Sequence, residues 1–115
     1  MIQNKEVLDS FDNKNVLVTG GTGLIGRLVV DILCNIHTNV RIVSLDEVKV
    51  NDKADHIFGD ITNFEFCKKI TKDTDFVFHL AGVKGSADVS VKKLASHFVP
   101  TVMMNTNMLE ACRLN

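Results

Sequence analysis

The clearest pattern in the sequence is a change of hydrophobic period within residues 15–36. Residues 16–18 (VLV) form a short, β-branched apolar run, which is typical of a buried strand. Residues 19–26 (TGGTGLIG) follow, and glycines at this density mark a turn. Apolar residues then recur at helical spacing, namely Ile25, Leu28, Val29, Ile32, Leu33 and Ile36. The pattern predicts a strand, a glycine-rich turn and an amphipathic helix, in that order.

The glycines of this turn predict a binding site for a dinucleotide. In such a turn one glycine permits the tight change of direction, one lets a pyrophosphate approach the backbone, and the last, Gly26, lets the helix lie close to the sheet. The pyrophosphate would sit on free N–H groups at the positive end of the helix. The turn residues predicted to meet the cofactor are Gly20, Thr22, Gly23, Leu24, Ile25 and Gly26. The alternative is a tight structural turn in an unrelated α/β domain.

Asp46 predicts which dinucleotide binds. It follows the second predicted strand, residues 40–45 (VRIVSL), and lies 20 residues past Gly26, where an acidic residue meets the adenosine ribose. A carboxylate can accept two hydrogen bonds from a ribose diol, but it would repel a 2′-phosphate. The sequence therefore favours NAD over NADP.

The following residues continue the alternation of strands and helices. Residues 56–58 predict a third strand, and a helix follows in which Thr62 and Glu65 have capping-box spacing, so that Thr62 is the predicted N-cap. The helix residues predicted to face inward are Phe66, Cys67 and Ile70. Residues 76–81 (FVFHLA) form a near-continuous apolar run, which is typical of a strand covered on both faces of a parallel sheet.

The last predicted helix begins near Ser96 or Phe98 and ends at Leu114. Pro100 is expected in its first turn, because proline lacks the N–H group that later turns require. The predicted inner face consists of Val102, Leu109 and Cys112, with Asn105 and Thr106 beside it.

The element order predicts an α/β fold, a doubly wound, Rossmann-type parallel sheet of about four strands in the order 3-2-1-4. This domain would occupy residues 15–115, after a polar lead-in at residues 1–14. Because the order reverses between strands one and four, the glycine turn and the exit from strand four, residues 81–86, would open into one crevice. The outer edge of strand four carries no proline and no charge, which predicts self-association, most simply as a homodimer.

Composition narrows the classes of function. The chain has 115 residues, 45% of them hydrophobic, and a formal net charge of -1, which gives no basic excess for nucleic acid. No run of about 18 apolar residues predicts a membrane span, and residues 1–15 lack the apolar core of a signal peptide. Cys34, Cys67 and Cys112 have no metal-ligand spacing and predict buried, reduced thiols in a cytoplasmic protein.

Several motifs occur in the order that one protein family uses. They are the TGxxGxxG turn of residues 19–26, Asp46, the GDI turn of residues 59–61, the HLAG segment of residues 79–82 and the helix segment NTNMLEA of residues 105–111. Together they resemble the amino-terminal half of the extended short-chain dehydrogenases/reductases, the NAD-dependent epimerase/dehydratase group. The helix segment departs from the family pattern, since Asn107 and Met108 stand where smaller residues are commoner.

The resemblance implies further contacts with NAD. Asp60 and Ile61 would frame the adenine, and the motif residues Leu80, Ala81, Gly82 and Asn105 would also meet the cofactor. Residues 81–84 (AGVK) are most similar to nucleotide-sugar 4-epimerases, in which a lysine at this place reaches the cofactor phosphates or ribose. Lys84 is therefore a predicted cofactor residue, and the alternative is a solvated loop cation. His79 is predicted to be a hydrogen-bonded packing residue.

The family's acid/base chemistry needs a tyrosine four residues before a lysine, and this chain contains no tyrosine. By resemblance, these residues and the sugar-binding region would follow the fourth helix, so the sequence is expected to be a fragment truncated there. The predicted function is the NAD-binding portion of an NAD-dependent nucleotide-sugar epimerase or dehydratase, which passes hydride between sugar and nicotinamide. The alternative is a non-catalytic dinucleotide-binding or sensor module. The Thr19-to-Gly26 spacing disfavours a methyltransferase-like domain.

Overall fold

The computed structural model describes residues 4–82 and 94–115, and these residues are built around a four-stranded parallel sheet. In chain order the elements are α1 (Lys5–Asp9), β1 (Asn15–Thr19), α2 (Leu24–Cys34), β2 (Asn39–Ser44), β3 (Asp55–Phe58), α3 (Phe64–Ile70), β4 (Phe76–His79) and α4 (Leu94–Leu114). The strand order is β3-β2-β1-β4. The predicted order 3-2-1-4 and the α/β fold are therefore confirmed. Strand β4 ends at His79, two residues before the predicted end at Ala81.

The register of the sheet brings the carboxyl ends of its strands together. Thr19, the last residue of β1, pairs with Val43 of β2 and with His79 of β4, while Ser44 of β2 pairs with Phe58 of β3. Because all the strands run in the same direction, the turns that leave them emerge at one edge of the sheet. This edge carries the candidate site.

Strand β1 lies in the centre of the sheet and contributes side chains to the cores on both of its faces. Val16 and Val18 pack with residues of α2, such as Val30, on one face. Leu17 packs on the other face with residues of α3 and α4, such as Met108. Successive side chains of a strand point to opposite faces, and each buried aliphatic side chain stabilises the fold by about 1.5–3 kcal/mol. The near-continuous apolar sequence of β1 is thus explained by burial on both sides.

Helix α2 buries only part of the predicted apolar stripe: Leu33 is buried, and Val29 and Ile36 pack against the core. Ile25 and Leu28, which belong to the predicted apolar stripe, are 65% and 53% exposed. The buried residues of the helix are Gly26, Val30, Leu33 and Cys34. The exposure of Ile25 and Leu28 follows from Gly26, because a Cβ atom there would lie 2.2 Å from the carbonyl oxygen of Gly20. The helix must turn this glycine inward for its first turn to touch the glycine-rich loop.

Helix α3 begins one residue later than the capping-box spacing predicted. Its N-cap is Asn63, whose side-chain oxygen accepts a hydrogen bond from the Phe66 N–H at 3.1 Å. The predicted N-cap, Thr62, instead donates its hydroxyl and its N–H to Asp60 Oδ1, at 2.8 and 2.9 Å. The Thr62 prediction is wrong because the preceding aspartate competes for the threonine. Cys67 and Ile70 are buried, as predicted.

Helix α4 differs from its prediction in its start and in its inner face. Pro100 lies inside the helix rather than in its first turn. The buried residues are Met104, Met108 and Ala111, whereas the predicted inner residues Val102, Leu109 and Cys112 are exposed. Asn107 explains the rotation, because its Nδ2 donates to the carbonyl oxygens of Ile61 and Thr62 at 3.2 and 2.9 Å.

The three cysteines are all free thiols. Cys34 and Cys67 are buried as predicted, but Cys112 is exposed, so the prediction of a buried thiol is wrong for Cys112. No helix within residues 4–82 and 94–115 is both long and apolar enough to cross a membrane.

Candidate cofactor site

The turn after β1 is held in place by glycines. Gly20 has a left-handed φ of +70°, which side chains other than glycine rarely adopt. Its N–H donates to the carbonyl oxygen of Val43 at 3.0 Å, and its own carbonyl oxygen accepts from the Gly23 N–H at 3.0 Å. A Cβ atom on Gly20 would lie 2.7 Å from the backbone nitrogen of Ala81. The turn therefore lies in contact with the segment that leaves β4.

Gly21 and Gly23 differ in the atoms that an added Cβ would contact. A Cβ on Gly21 would lie 2.5 Å from Ile42 Cγ2, a packing role that the sequence did not reveal. A Cβ on Gly23 would meet only the Gly20 carbonyl oxygen, at 3.3 Å. Gly23 has a φ of -75°, an angle that residues with side chains also adopt. Its open side is consistent with close approach of a ligand.

The amino end of α2 offers backbone donors at the turn. Gly23 is the N-cap and supplies no side-chain hydrogen bond, and the Arg27 N–H donates to the Gly23 carbonyl oxygen at 3.0 Å. The amides of Leu24, Ile25 and Gly26 precede that bond and have no acceptor within the helix. These groups lie at the positive end of the helix dipole, which favours an anion. Leu24 and Ile25 can contribute through these amides, because their side chains are largely exposed.

A cleft of about 820 Å³ opens at this edge of the sheet. Its volume lies within the range of about 300–1,000 Å³ that small-molecule sites occupy. The predicted site residues that line it are Gly20, Thr22, Gly23, Asp46, Asp60, Ile61, Leu80, Ala81 and Gly82. Residues that follow the ends of β1, β2, β3 and β4 thus converge on one cleft, as the predicted reversal of strand order requires.

Asp46 is connected to the glycine turn by a hydrogen bond. The Thr22 hydroxyl donates to Asp46 Oδ2 at 3.2 Å, and the Ser44 hydroxyl donates to the Asp46 carbonyl oxygen at 2.8 Å. Arg27 Nε donates to the Thr22 carbonyl oxygen at 2.9 Å. The carboxylate is therefore held beside the first turn of α2, on the cleft wall.

The GDI turn forms another wall of the cleft. Asp60 fixes its own turn through the two hydrogen bonds from Thr62. Ile61 is buried, and its carbonyl oxygen accepts from Cys67 Sγ at 3.2 Å. Burial raises the pKa of the Cys67 thiol to about 11, and the Asp60 carboxylate adds to the rise. The thiol is thus neutral and can donate the hydrogen bond that holds the Ile61 carbonyl oxygen.

His79 makes hydrogen bonds with both of its ring nitrogens, as predicted for a packing residue. Its Nδ1 lies 2.7 Å from Thr19 Oγ1, and its Nε2 lies 2.7 Å from Asn105 Oδ1. Thr19 Oγ1 also accepts from the Ala81 N–H at 3.3 Å. The structure thus places Asn105 against His79 and not on the cleft wall. Lys84 lies outside the described residues.

Several cleft residues were not predicted from the sequence. They are Val43, Ser44, Leu45, Gly59, Thr62, Pro100 and Met104. Ser44 and Leu45 directly precede Asp46, so their position at a strand end could have marked them as cleft residues. Pro100 and Met104 come from α4 and had no motif to mark them. Within the described ranges, no group of three or more His, Cys, Asp or Glu side chains could hold a metal ion.

Comparison with known proteins gives matches over most of the chain. A UDP-glucose 4-epimerase of Rickettsia bellii is 34% identical, over 88% of this chain and 31% of its own length. The structure of an epimerase from Methanothermobacter thermautotrophicus has a TM-score of 0.84 and 27% identity, over 95% of this chain and 34% of that one. The UDP-glucose 4-epimerase of Thermus thermophilus, solved in complex with NAD, has a TM-score of 0.76 and 29% identity, over 87% of this chain and 34% of that one.

The chain spans about a third of the length of these relatives. The model of the NAD dependent epimerase/dehydratase family matches residues 16–115, which include the glycine turn and each strand that contributes to the cleft. The chain therefore belongs to the NAD-dependent epimerase/dehydratase family.

Proposed function

We propose that residues 15–115 form the NAD-binding portion of a nucleotide-sugar epimerase or dehydratase. The observation that carries the proposal is the convergence of the glycine turn, Asp46, the GDI turn and residues 80–82 on one cleft. A cofactor domain alone would bind the dinucleotide. The groups that act on the sugar would lie outside this stretch.

The residues of the cleft fit an NAD molecule. The uncapped amino end of α2 and the open side of Gly23 suit a pyrophosphate, which needs N–H donors and close backbone approach. The Asp46 carboxylate suits an adenosine ribose with a free 2′-hydroxyl. Asp60 and Ile61 would border the adenine, and Leu80, Ala81 and Gly82 would border the part of the dinucleotide nearest β4. Lys84 keeps its proposed role at the phosphates or ribose.

When bound, NAD would supply a hydride acceptor and donor for the sugar. The contribution of this chain would be to bind and orient the cofactor, since proton transfer in the resembled family requires a tyrosine that these residues lack. The substrate is proposed to be a nucleotide sugar, because the named relatives from Rickettsia bellii and Thermus thermophilus are UDP-glucose 4-epimerases. We also propose a cytoplasmic location, which suits three free thiols, and a homodimer formed through β4.

Titration of the purified chain with NAD, NADH, NADP and NADPH by calorimetry tests the proposal. We expect saturable binding of NAD and NADH, and binding of the phosphorylated cofactors that is weaker by about tenfold or more. Circular dichroism on the same sample establishes that the chain is folded. A folded chain that binds none of the four cofactors would disprove the proposed function.

A further inference from the structure

A chain of hydrogen bonds crosses the sheet edge behind the cleft. It runs from Asn105 on α4 to His79 on β4, then to Thr19 on β1, and from there to the N–H of Ala81. Thr19 is fully buried, so its hydroxyl depends on these partners for its hydrogen bonds. The network joins α4 to β1 and β4, two strands that the sheet hydrogen bonds already connect.

The chemistry of the partners fixes the direction of each hydrogen bond. An amide oxygen can only accept, so Asn105 Oδ1 requires the proton to be on His79 Nε2. In a neutral imidazole Nδ1 is then an acceptor, and the Thr19 hydroxyl donates to it. This leaves a lone pair on Thr19 Oγ1 that accepts from the Ala81 N–H. Every donor and acceptor is satisfied only if His79 is neutral and carries its proton on Nε2.

The position of Ala81 matters because its backbone lies directly against Gly20 of the glycine turn. A Cβ atom on Gly20 would lie 2.7 Å from Ala81 N and 2.8 Å from the Leu80 carbonyl carbon. The glycine turn and the exit from β4 are therefore in direct contact, and both line the cleft. The Leu80 N–H also donates to the Thr19 carbonyl oxygen at 3.1 Å, so Thr19 holds this exit through both its backbone and its side chain.

We propose that His79 is a positioning residue for the cofactor: in its neutral form with the proton on Nε2, it anchors Thr19 to Asn105 and so holds Ala81 against the glycine turn. The proposal rests on the proposed function, because the wall that it fixes is a wall of the NAD cleft. His79 itself does not line the cleft among the described residues, and it acts through Thr19 and Ala81.

The test compares variants at each step of the network. Thr19→Val removes the hydroxyl and keeps the shape, while Thr19→Ser restores the hydroxyl. Asn105→Leu removes the acceptor for His79 Nε2 at an exposed position, where folding is not at risk. Thr19→Val loses two hydrogen bonds, and we expect it to raise the Kd for NAD about tenfold. Asn105→Leu loses one and should raise the Kd about threefold. Thr19→Ser loses none and should raise the Kd by less than about threefold.

Two further measurements separate positioning from general stability. Leu33→Ala removes a buried side chain of α2 outside the network, and it should lower the thermal midpoint without changing the Kd for NAD. The ¹⁵N chemical shifts of the His79 ring in the cofactor-free chain should show a protonated Nε2 and an unprotonated Nδ1. In Asn105→Leu this preference between the two tautomers should weaken.

The outcomes distinguish this proposal from the proposed function. If the unmodified chain binds NAD and Thr19→Val and Asn105→Leu bind it equally well, the positioning role is wrong and the cofactor site stands. A proton on Nδ1 instead of Nε2 would also overturn it. A folded unmodified chain that does not bind NAD would overturn the proposed function, and the positioning role with it.

Discussion

Thr22 donates a hydrogen bond from its hydroxyl to the carboxylate of Asp46, with Oγ1 and Oδ2 3.2 Å apart. This bond joins the glycine turn after β1 to the end of β2. The residue proposed to select the cofactor is thus tied to the loop proposed to hold its phosphates. A dinucleotide would meet both as one surface.

Replacing Asp46 by Asn should weaken NAD binding about tenfold, because hydrogen bonds to a charged group contribute about 1.5–3 kcal/mol. The binding of NADP should stay the same or improve, since the charge that repels its 2′-phosphate is lost. Calorimetric titration of both cofactors measures the two effects. Glu47→Gln removes the neighbouring exposed charge and is the matched control. Equal affinity of the unmodified chain for both cofactors would contradict the assignment of Asp46 to the ribose.

Substitution of Gly23 should lower the affinity for NAD, whereas substitution of Gly26 should lower the stability of the fold. Gly23→Val should leave a folded domain that binds NAD about 10- to 100-fold more weakly, because the added side chain would occupy the space of the pyrophosphate. Gly26→Ala should instead destabilise the fold by about 1–3 kcal/mol, since its Cβ would lie 2.2 Å from the Gly20 carbonyl oxygen.

Thermal unfolding and NAD titration of the two glycine variants give the comparison. Gly23→Val should lower the affinity for NAD with little change in the thermal midpoint. Gly26→Ala should lower the thermal midpoint. Undiminished NAD binding by Gly23→Val would show that the turn has only a structural role.

The glycine turn and the strand order could be predicted because their signals are local. The left-handed φ of Gly20 and the contact between Gly26 and Gly20 are consequences of a short motif. The positions of Asp46, Asp60 and Ala81 follow from strand ends, which parallel topology brings to one edge. None of these inferences depended on knowing how a helix is rotated.

Helix rotation and capping were harder to predict, because they depend on contacts distant in sequence. Helix α4 turns Met104 and Met108 inward because Asn107 donates to two carbonyl oxygens of the GDI turn and the residue after it, more than 40 residues earlier. Asn63 rather than Thr62 is the N-cap of α3, because the Thr62 hydroxyl donates its hydrogen bond to Asp60 instead. The partnership of Asn105 with His79 likewise has no sequence signature, since two separate elements must meet to form it.

The stability of the chain should fall between pH 9 and pH 11, in part because of Cys67. Burial raises the pKa of this thiol from 9.0 to about 11. Below pH 9 it is protonated in both states, and as pH rises the unfolded chain loses the proton first, so the free energy of unfolding decreases. The contribution of this group should be about 1–2 kcal/mol. Urea unfolding at pH 8 to 11, with thiols kept reduced, measures it.

Cys67→Ala isolates the thiol from other groups that titrate in this range. The variant should be less stable at pH 8, because a buried side chain is shortened, but it should lose less stability on going to pH 11. Leu33→Ala, which shortens a buried side chain that does not titrate, serves as the comparison. A constant difference between the unmodified chain and Cys67→Ala from pH 8 to 11 would contradict the raised pKa.

Residues 1–115 alone should bind NAD without catalysing turnover. The expected acid/base tyrosine is missing from the sequence, so a proton could not be exchanged with a sugar hydroxyl in the manner of the resembled family. Incubation with NAD and UDP-glucose, followed by NADH absorbance and product chromatography, checks this. Sugar interconversion above that of a Gly23→Val sample would show that another residue supplies the acid/base function.

The exposed edge of β4 should drive self-association. In the described part of the chain β4 pairs only with β1, so its other edge has backbone groups without a strand partner. Phe76 is 40% exposed, and β4 (FVFH) carries no Asp, Glu, Lys, Arg or Pro that would oppose pairing. Strand β3 (DHIF) forms the opposite edge of the sheet and carries the charge of Asp55. A closed dimer in which two β4 strands pair is the simplest arrangement.

Sedimentation velocity and amide hydrogen exchange at low and high protein concentration test this assembly. The chain should become dimeric as its concentration rises, and the amides of β4 should become more protected at the same time. The amides of β3 should not change, because a charged edge resists pairing, and those of β1 should stay protected throughout, because β1 is paired on both sides. A monomer at high concentration, with β4 amides that exchange as freely as at low concentration, would show that this edge does not pair.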